Sequence, residues 1–169
     1  NAVAIVIKEK RQGKGFVVNS MLKKVHADIY VMVDGDDTYP AENVLDLIRP
    51  LLEDEADMVV GQRLTDFSAH AFRPLHYTGN KVVCRLINLV FASDIQDPMS
   101  GYRAFTREVA LEIPVLAMGF DVETEITLQM LYRKFKIKEV AIPYRERPKG
   151  SVSKLRTYRD GFRVLVKIF

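Results

Sequence analysis

The stretch ADIYVMVDGDDTYP, residues 27–40, decides the fold. Its continuous apolar run, residues 29–33, is typical of a strand that is buried on both faces of a parallel sheet. The strand is predicted to end in an acidic turn that contains Asp34, Asp36 and Asp37. Pro40 suits the first turn of a helix that runs to about residue 53, and Pro50 is expected to kink or end that helix.

The rest of the chain continues this alternation of short apolar runs and helical patterns. Strands that alternate with helices indicate an α/β fold with a mainly parallel sheet flanked by helices. No linker and no repeat interrupts residues 1–169, so we predict a single domain. Further strands are predicted at 2–7, 58–60 and 137–144, helices at 16–25, 76–92 and 122–135, and a strand leading into a helix at 104–113.

The composition limits the classes of protein to consider. The chain is 48% hydrophobic and 28% charged, which excludes a disordered or collagen-like protein. Its one cysteine, Cys84, excludes an internal disulfide framework and a cysteine-rich zinc site. No apolar run approaches the roughly 18 residues that span a bilayer, and no signal peptide is visible. The net charge of +3 combines −6 over residues 1–132 with +9 over residues 133–169, which favours a polyanionic partner.

The acidic turn carries the clearest chemical signal. Carboxylates this close together repel each other unless a cation neutralises them, and open α/β sheets bind ligands at the carboxyl ends of their strands. Mg²⁺ and Mn²⁺ prefer oxygen ligands and bridge phosphates, so the sequence predicts a metal–diphosphate site. Two enzyme classes carry such a motif. One is a nucleotide-sugar glycosyltransferase with D-x-D, and the other is a haloacid-dehalogenase-type phosphatase with D-x-D-x-T, in which Asp34 is the nucleophile and Asp36 the acid/base.

A series of further motifs connects the acidic turn to a known family. The motifs are GKG at 13–15, residues 27–40, MVVGQR at 58–63, DPMSGYR at 97–103, GFDVE at 119–123, IPYRER at 142–147 and KGSVSKL at 149–155. In this order they resemble family 2 glycosyltransferases of the GT-A fold, above all the polyprenyl-phosphate branch that is similar to dolichol-phosphate mannose synthase. The resemblance implies a GT-A-type α/β sheet that is incomplete at the N-terminus, because family members begin with a βα unit that cradles the nucleotide base. We therefore expect the fragment itself to be inactive.

The resemblance also implies which residues bind the donor. Asp34 and Asp36 would bind Mg²⁺ or Mn²⁺ and the diphosphate of a UDP- or GDP-hexose, and Lys14 would approach the nucleotide. Arg63 would neutralise the leaving phosphate, the alternative being an ion pair with a neighbouring aspartate. Asp97 corresponds to the active-site aspartate of the family, which acts as a base on an acceptor hydroxyl. A phosphate acceptor is already ionised, and Asp97 would then orient the sugar or the acceptor.

The acceptor implied by the resemblance is a polyprenyl or dolichyl phosphate, to which a hexose is transferred with inversion. Residues 154–169 are predicted to form a basic amphipathic helix that is expected to lie on a membrane surface, with transmembrane helices after Phe169 and the enzyme at the cytoplasmic face. The residues expected to bind the acceptor phosphate are Arg103, Arg147, Lys149, Ser151, Ser153 and Lys154.

Two alternatives stay open beside this interpretation. A phosphatase of the haloacid-dehalogenase type needs a later strand that ends in a second acidic pair, whereas the strand at 58–60 ends in Gly61-Gln62-Arg63. A nucleic-acid-binding domain would use the basic C-terminal segment, but it leaves Asp34, Asp36 and Asp97 without a role, and no nucleic-acid partner is expected.

Overall fold

The computed structural model describes residues 4–64, 74–119 and 121–145. The strands are β1 (Ile29–Met32), β2 (Met58–Leu64), β3 (Arg103–Thr106) and β4 (Ile137–Pro143). The helices are α1 (Lys14–Lys24), α2 (Val44–Leu52), α3 (Pro74–Phe91), α4 (Arg107–Glu112) and α5 (Val122–Tyr132), with a 3₁₀ turn at Ala41–Asn43.

The described strands form one mixed sheet in the order β1-β3-β2-β4. Strand β3 is antiparallel to both of its neighbours, and only β2 and β4 pair in parallel. The prediction of a mainly parallel sheet is therefore wrong for the described residues. The reason is the route of the chain: Arg103, the first residue of β3, pairs with Met32 near the carboxyl end of β1 and with Val60 of β2. A strand that starts at the carboxyl edge of its neighbours must run back across the sheet.

Strand β1 lies at the edge of the described sheet, which corrects a second expectation. Val31 is 39% exposed, and Val33 lies beyond the end of the strand and is 50% exposed, so this strand is not buried on both faces. Residues 4–7 are not in a strand, and Ile5 and Val6 are exposed, so the predicted strand at 2–7 is wrong over the part that the structure describes.

Most helices agree with their predictions, with local differences. Pro40 precedes the 3₁₀ turn instead of lying in the first turn of a helix. Pro50 is buried and lies inside α2, which continues past it to Leu52. Helix α3 has a solvent-exposed side, on which Leu89 is 81% exposed. Among the described residues, none of the helices combines the length and the hydrophobicity needed to cross a bilayer.

Helices cover both faces of the sheet. On one face, Met58 and Phe105 pack with Val18 of α1 and Ile126 of α5. On the other face, residues of β2, β3 and β4 pack against Leu47 and Leu51 of α2. The described helices do not cover the edge of the sheet at which β1 and β2 end. The loops that follow these strands lie at this edge, and the acidic turn is one of them.

Candidate active site

The acidic turn follows β1 directly and is held by its own hydrogen bonds. The Oδ1 atom of Asp36 accepts a hydrogen bond from the Thr38 hydroxyl at 2.7 Å and one from the Thr38 backbone N–H at 3.4 Å. Thr38 is completely buried, so it anchors the carboxylate of Asp36. Asp37 is exposed and has a positive φ of 58°, which turns the chain toward the 3₁₀ turn.

Lys14 joins the acidic turn to the start of α5. Its Nζ atom lies 2.5 Å from Oδ1 of Asp34 and also contacts Oε1 of Glu123. We call Lys14, Asp34 and Glu123 the lysine cluster. Lys14 was expected to approach the nucleotide, and its side chain contacts the D-x-D motif through Asp34.

Two glycines explain why Lys14 reaches this position. A Cβ atom on Gly13 would lie 2.0 Å from the carbonyl oxygen of Met118, and one on Gly15 would lie 1.8 Å from that of Ala117. Gly13 also has a φ of 144°, which L side chains rarely adopt. The GKG motif therefore lets the start of α1 press against the backbone that leads to α5.

Burial and charge oppose each other in the lysine cluster. Burial lowers the pKa of Lys14, but the carboxylates of Glu123 and Asp34 outweigh it and raise that pKa above its ordinary value. Burial raises the pKa of Glu123, although Lys14 and Arg103 act in the opposite direction. Oε2 of Glu123 is buried without a hydrogen-bond partner, so its charge depends on the ammonium group of Lys14.

The loop at 95–101 meets the acidic turn from the other side. A Cβ atom on Gly101 would lie only 2.3 Å from Oδ2 of Asp34, so the two segments are in direct contact. The backbone N–H of Gly101 donates to the Tyr39 hydroxyl at 3.0 Å, and the Ser100 hydroxyl donates to the carbonyl oxygen of Gly61 at 2.6 Å. The loop that carries Asp97 and the D-x-D motif therefore belong to one site.

Asp97 is buried and bound on both of its carboxylate oxygens. Nε of Arg63 lies 2.7 Å from Oδ2, and Nη2 lies 2.7 Å from Oδ1, which is a bidentate pair. The backbone N–H groups of Gln96 and Asp97 donate to the carboxylate of Glu139 on β4 at 2.7 and 2.8 Å. We call Arg63, Asp97 and Glu139 the arginine cluster. The alternative that Arg63 pairs with a neighbouring aspartate is confirmed.

Arg103 does not have the role that the sequence suggested. It is completely buried, and its guanidinium donates to the carbonyl oxygens of Pro98, Ser100 and Glu123 and to the Thr127 hydroxyl. A side chain whose donors are all engaged inside the protein cannot reach an acceptor phosphate, so that assignment is corrected. Burial lowers the pKa of Arg103, and the charges of Glu123 and Asp97 act in the opposite direction.

The remaining residues expected to bind the acceptor phosphate lie outside the described residues. The same holds for the helix predicted at 154–169, so no structural statement tests either prediction. These residues are Arg147, Lys149, Ser151, Ser153 and Lys154.

The donor atoms at the acidic turn suit a hard cation. Asp34 and Asp36 offer carboxylate oxygens, which hard cations prefer as ligands. The ammonium group of Lys14 already pairs with Asp34, so this carboxylate binds a positive charge in the structure. Among the described residues, no group of three or more His, Cys, Asp or Glu side chains could enclose a metal ion. A divalent metal here would therefore take its other ligands from water and from the substrate, as Mg²⁺ commonly does with phosphates.

Sequence reasoning missed the role of two glutamates. The sequence indicated Glu123 only as the last residue of the GFDVE motif at 119–123, although its side chain pairs with Lys14. Glu139 was not singled out at all. The signal that could have drawn attention to it is an acidic residue in an otherwise apolar part of a strand, Glu139 before Val140, Ala141 and Ile142.

Comparisons with known proteins agree with this geometry. The model of the family "Glycosyl transferase family 2" matches residues 2–113. A glycosyltransferase of Haloferax volcanii, AglJ, is 34% identical over all of this chain, which covers 56% of that protein. The "Dolichyl-phosphate hexose transferase" of the same organism is 33% identical over 85% of this chain, which covers 62% of it. The chain thus spans somewhat more than half the length of these relatives.

Solved structures show the same fold. Glucosyl-3-phosphoglycerate synthase from Mycobacterium tuberculosis, solved with Mn²⁺ and UDP-glucose, superposes with a TM-score of 0.71 at 21% identity. The match covers 95% of this chain and 56% of that structure. The expected GT-A-type α/β fold is confirmed, and neither the phosphatase nor the nucleic-acid alternative fits the family match. The chain belongs to glycosyl transferase family 2.

Proposed function

We propose that the full-length protein transfers a hexose from a UDP- or GDP-sugar to a polyprenyl phosphate, with inversion at the anomeric carbon. The observation that carries this proposal is the contact between Gly101 and the carboxylate of Asp34. Through this contact the acidic turn lies beside the loop of Asp97, so that Asp34, Asp36 and Asp97 share one edge of the sheet. The name of the relative "Dolichyl-phosphate hexose transferase" supports the choice of acceptor.

On the donor side, Asp34 and Asp36 hold Mg²⁺ or Mn²⁺ together with the diphosphate of the sugar nucleotide. The metal supplies positive charge for the departing nucleoside diphosphate. Lys14 lies against Asp34 and adds a second positive charge on the same side. The mycobacterial synthase whose structure holds Mn²⁺ and UDP-glucose has the same fold, which supports a metal-dependent donor site in this chain.

On the acceptor side, Asp97 orients the acceptor or the sugar and does not remove a proton. Its oxygens are engaged by Arg63, and a phosphate monoester is largely ionised at pH 7, with a second pKa of about 6. The acceptor phosphate is held by the basic residues that follow β4 in the sequence, and the helix predicted at 154–169 is proposed to lie on the cytoplasmic face of a membrane. The residues proposed to bind that phosphate are Arg147, Lys149, Ser151, Ser153 and Lys154.

The proposal is tested by substituting two neighbouring aspartates, one at a time, in the full-length protein. Asp36→Asn removes a carboxylate that is anchored on Thr38, whereas Asp37→Asn changes an exposed residue whose positive φ suits asparagine equally well. We expect Asp36→Asn to lower Mn²⁺-dependent transfer of labelled hexose to polyprenyl phosphate about 100-fold or more, a loss typical of removing one electrostatic group. Asp37→Asn should retain nearly full activity.

Calorimetric titration with Mn²⁺ and UDP, and then GDP, separates binding from transfer. If metal-dependent nucleotide binding is lost in Asp36→Asn and retained in Asp37→Asn, the result supports the proposed donor site. Unchanged binding and transfer in Asp36→Asn would refute the metal assignment, and transfer to a lipid without a phosphate would refute the acceptor.

A further inference from the structure

The loop at 95–101 is held by side chains along most of its length. The side-chain amide of Asn88 bonds both the N–H and the carbonyl oxygen of Ile95, at 2.8 and 2.9 Å. Cys84 donates to the carbonyl oxygen of Gln96 at 3.1 Å. Arg103 binds the carbonyl oxygens of Pro98 and Ser100. A loop whose backbone is bonded in this way to fixed side chains keeps one conformation, as an active site requires.

Glu139 binds the backbone of the loop at Asp97 itself. Its Oε2 atom accepts the N–H of Gln96 at 2.7 Å, and its Oε1 atom accepts the N–H of Asp97 at 2.8 Å. One carboxylate thus binds two successive amides, which fixes the peptide plane between them. Glu139 is itself fixed, because it lies on β4 opposite Val60 of β2.

The two strands hold different parts of the same residue. Strand β2 carries Arg63, which binds the side chain of Asp97, and β4 carries Glu139, which binds its backbone. Because β2 and β4 are paired in parallel, both contacts come from one rigid piece of sheet. The direction of the Asp97 carboxylate is therefore determined twice, once at each end of the residue.

We propose that Glu139 is a positioning residue of the transfer reaction, which acts by fixing the backbone of Asp97 and hence the direction of its carboxylate. This inference rests on the proposed function, in which Asp97 orients the acceptor or the sugar. Glu139 acts through Asp97 and not on the donor, so its loss lowers kcat and leaves the affinity for the metal and nucleotide unchanged.

The test is a double-mutant cycle in the full-length protein. Glu139→Gln puts an NH₂ group where one of the two backbone amides now donates, so the clamp is lost with little change in volume. We expect kcat to fall about 10- to 100-fold, as a small misplacement of a reacting group does. In an Asp97→Asn background the same substitution should cost no more than about twofold, because the effect passes through Asp97. Glu55→Gln, an exposed carboxylate paired with Lys138, is the matched control and should leave kcat unchanged.

Amide hydrogen exchange gives a second measurement that does not depend on turnover. In Glu139→Gln the amides of Gln96 and Asp97 should exchange at least about tenfold faster, while those of β2 keep their protection. Glu139→Asp, whose carboxylate is one methylene shorter, replaces the glutamine variant in both measurements if that variant does not fold.

Three results would overturn the proposal: an unchanged kcat, an equal loss in the Asp97→Asn background, or unchanged exchange at both amides. A merely structural role of Glu139 would give the second of these results together with weaker Mn²⁺–UDP binding. Failure of the proposed function is recognised separately, since Asp36→Asn would then transfer hexose as well as the unaltered protein does.

Discussion

The lysine cluster and the arginine cluster contain the same kinds of groups, yet they hold them in different ways. Each contains one aspartate, one glutamate and one cation. Lys14 lies between its two carboxylates as a point charge, whereas Arg63 binds the carboxylate of Asp97 through two side-chain hydrogen bonds. The side chain of Asp34 is 33% exposed, and that of Asp97 is 6% exposed.

This difference shows what each aspartate is suited to do. An ammonium group can turn toward a new anion without losing a fixed geometry, and a partly exposed carboxylate can accept a second cation. A planar guanidinium in a bidentate pair holds its partner in one direction. The lysine cluster is therefore suited to binding and release, and the arginine cluster is suited to keeping Asp97 in place.

Removing the cation of the arginine cluster has the largest expected effect. Arg63→Met leaves the buried carboxylate of Asp97 without two of its hydrogen bonds. Breaking a buried pair from one side costs about 3–5 kcal/mol, and we expect the free energy of unfolding in urea to fall by that amount. Arg145→Met removes an exposed pair with Glu42 and should cost less than about 1 kcal/mol. Equal losses in the two variants would contradict the distinction between the clusters.

Removing the cation of the lysine cluster should give an effect that depends on pH. The pKa of Glu123 is raised above its ordinary value of 4.5, so its contribution to stability is fully present below that value and is lost as the pH rises through the folded-state pKa. Lys14→Met raises that pKa further, so the loss grows with pH. We expect the variant to be destabilised by about 3 kcal/mol at pH 7.5 and by clearly less at pH 5.

Urea unfolding at the two pH values measures this difference. Lys138→Met, which breaks an exposed pair with Glu55, is the control and should give a small and nearly constant change. If Lys14→Met lowers the free energy of unfolding equally at pH 5 and pH 7.5, the ionisation of Glu123 does not depend on the ammonium group of Lys14.

The smallest effect is expected where the two sides of the site touch. Gly101→Ala places a methyl group 2.3 Å from Oδ2 of Asp34, so the flexible carboxylate must turn away. The fold should persist, and the Kd for UDP with Mn²⁺ should rise about tenfold, as the loss of one well-placed ligand does. Gly35→Ala, with no atom within 4 Å of its Cβ, should leave the Kd unchanged. Similar Kd values for the two variants would show that Asp34 tolerates displacement.

Local patterns predicted much of the fold and part of the site. The strand before Asp34, the GKG motif and the order of the later strands and helices are encoded within short segments. These predictions hold apart from element bounds, whereas the strand predicted at 2–7 is wrong over the described residues. Lys14 was expected to approach the nucleotide, and Arg63 was expected to bind either the leaving phosphate or a neighbouring aspartate. Arg63 lies near the end of β2, and Lys14 lies between two glycines at the start of α1, so local sequence indicates both positions.

The parts that failed depend on contacts between distant segments. No local pattern indicates that β3 runs opposite to its neighbours, because its direction follows from the route of the preceding loop. A basic residue at a strand start is usually exposed, yet Arg103 is completely buried among carbonyl oxygens that come from two separate segments. The pairing of Glu139 with the amides of residues 96 and 97 likewise joins positions more than 40 residues apart.

The buried guanidinium of Arg103 has a consequence for the order in which the protein folds. It ties the carbonyl oxygens of Pro98 and Ser100, before β3, to that of Glu123 in the first turn of α5. The loop of Asp97 therefore completes its hydrogen bonds only once α5 has docked. Active-site loops often open by themselves at little cost in free energy, but we expect this one to open only together with the core, because its hydrogen bonds join it to α5. Its spontaneous opening should thus be nearly as rare as unfolding of the whole domain.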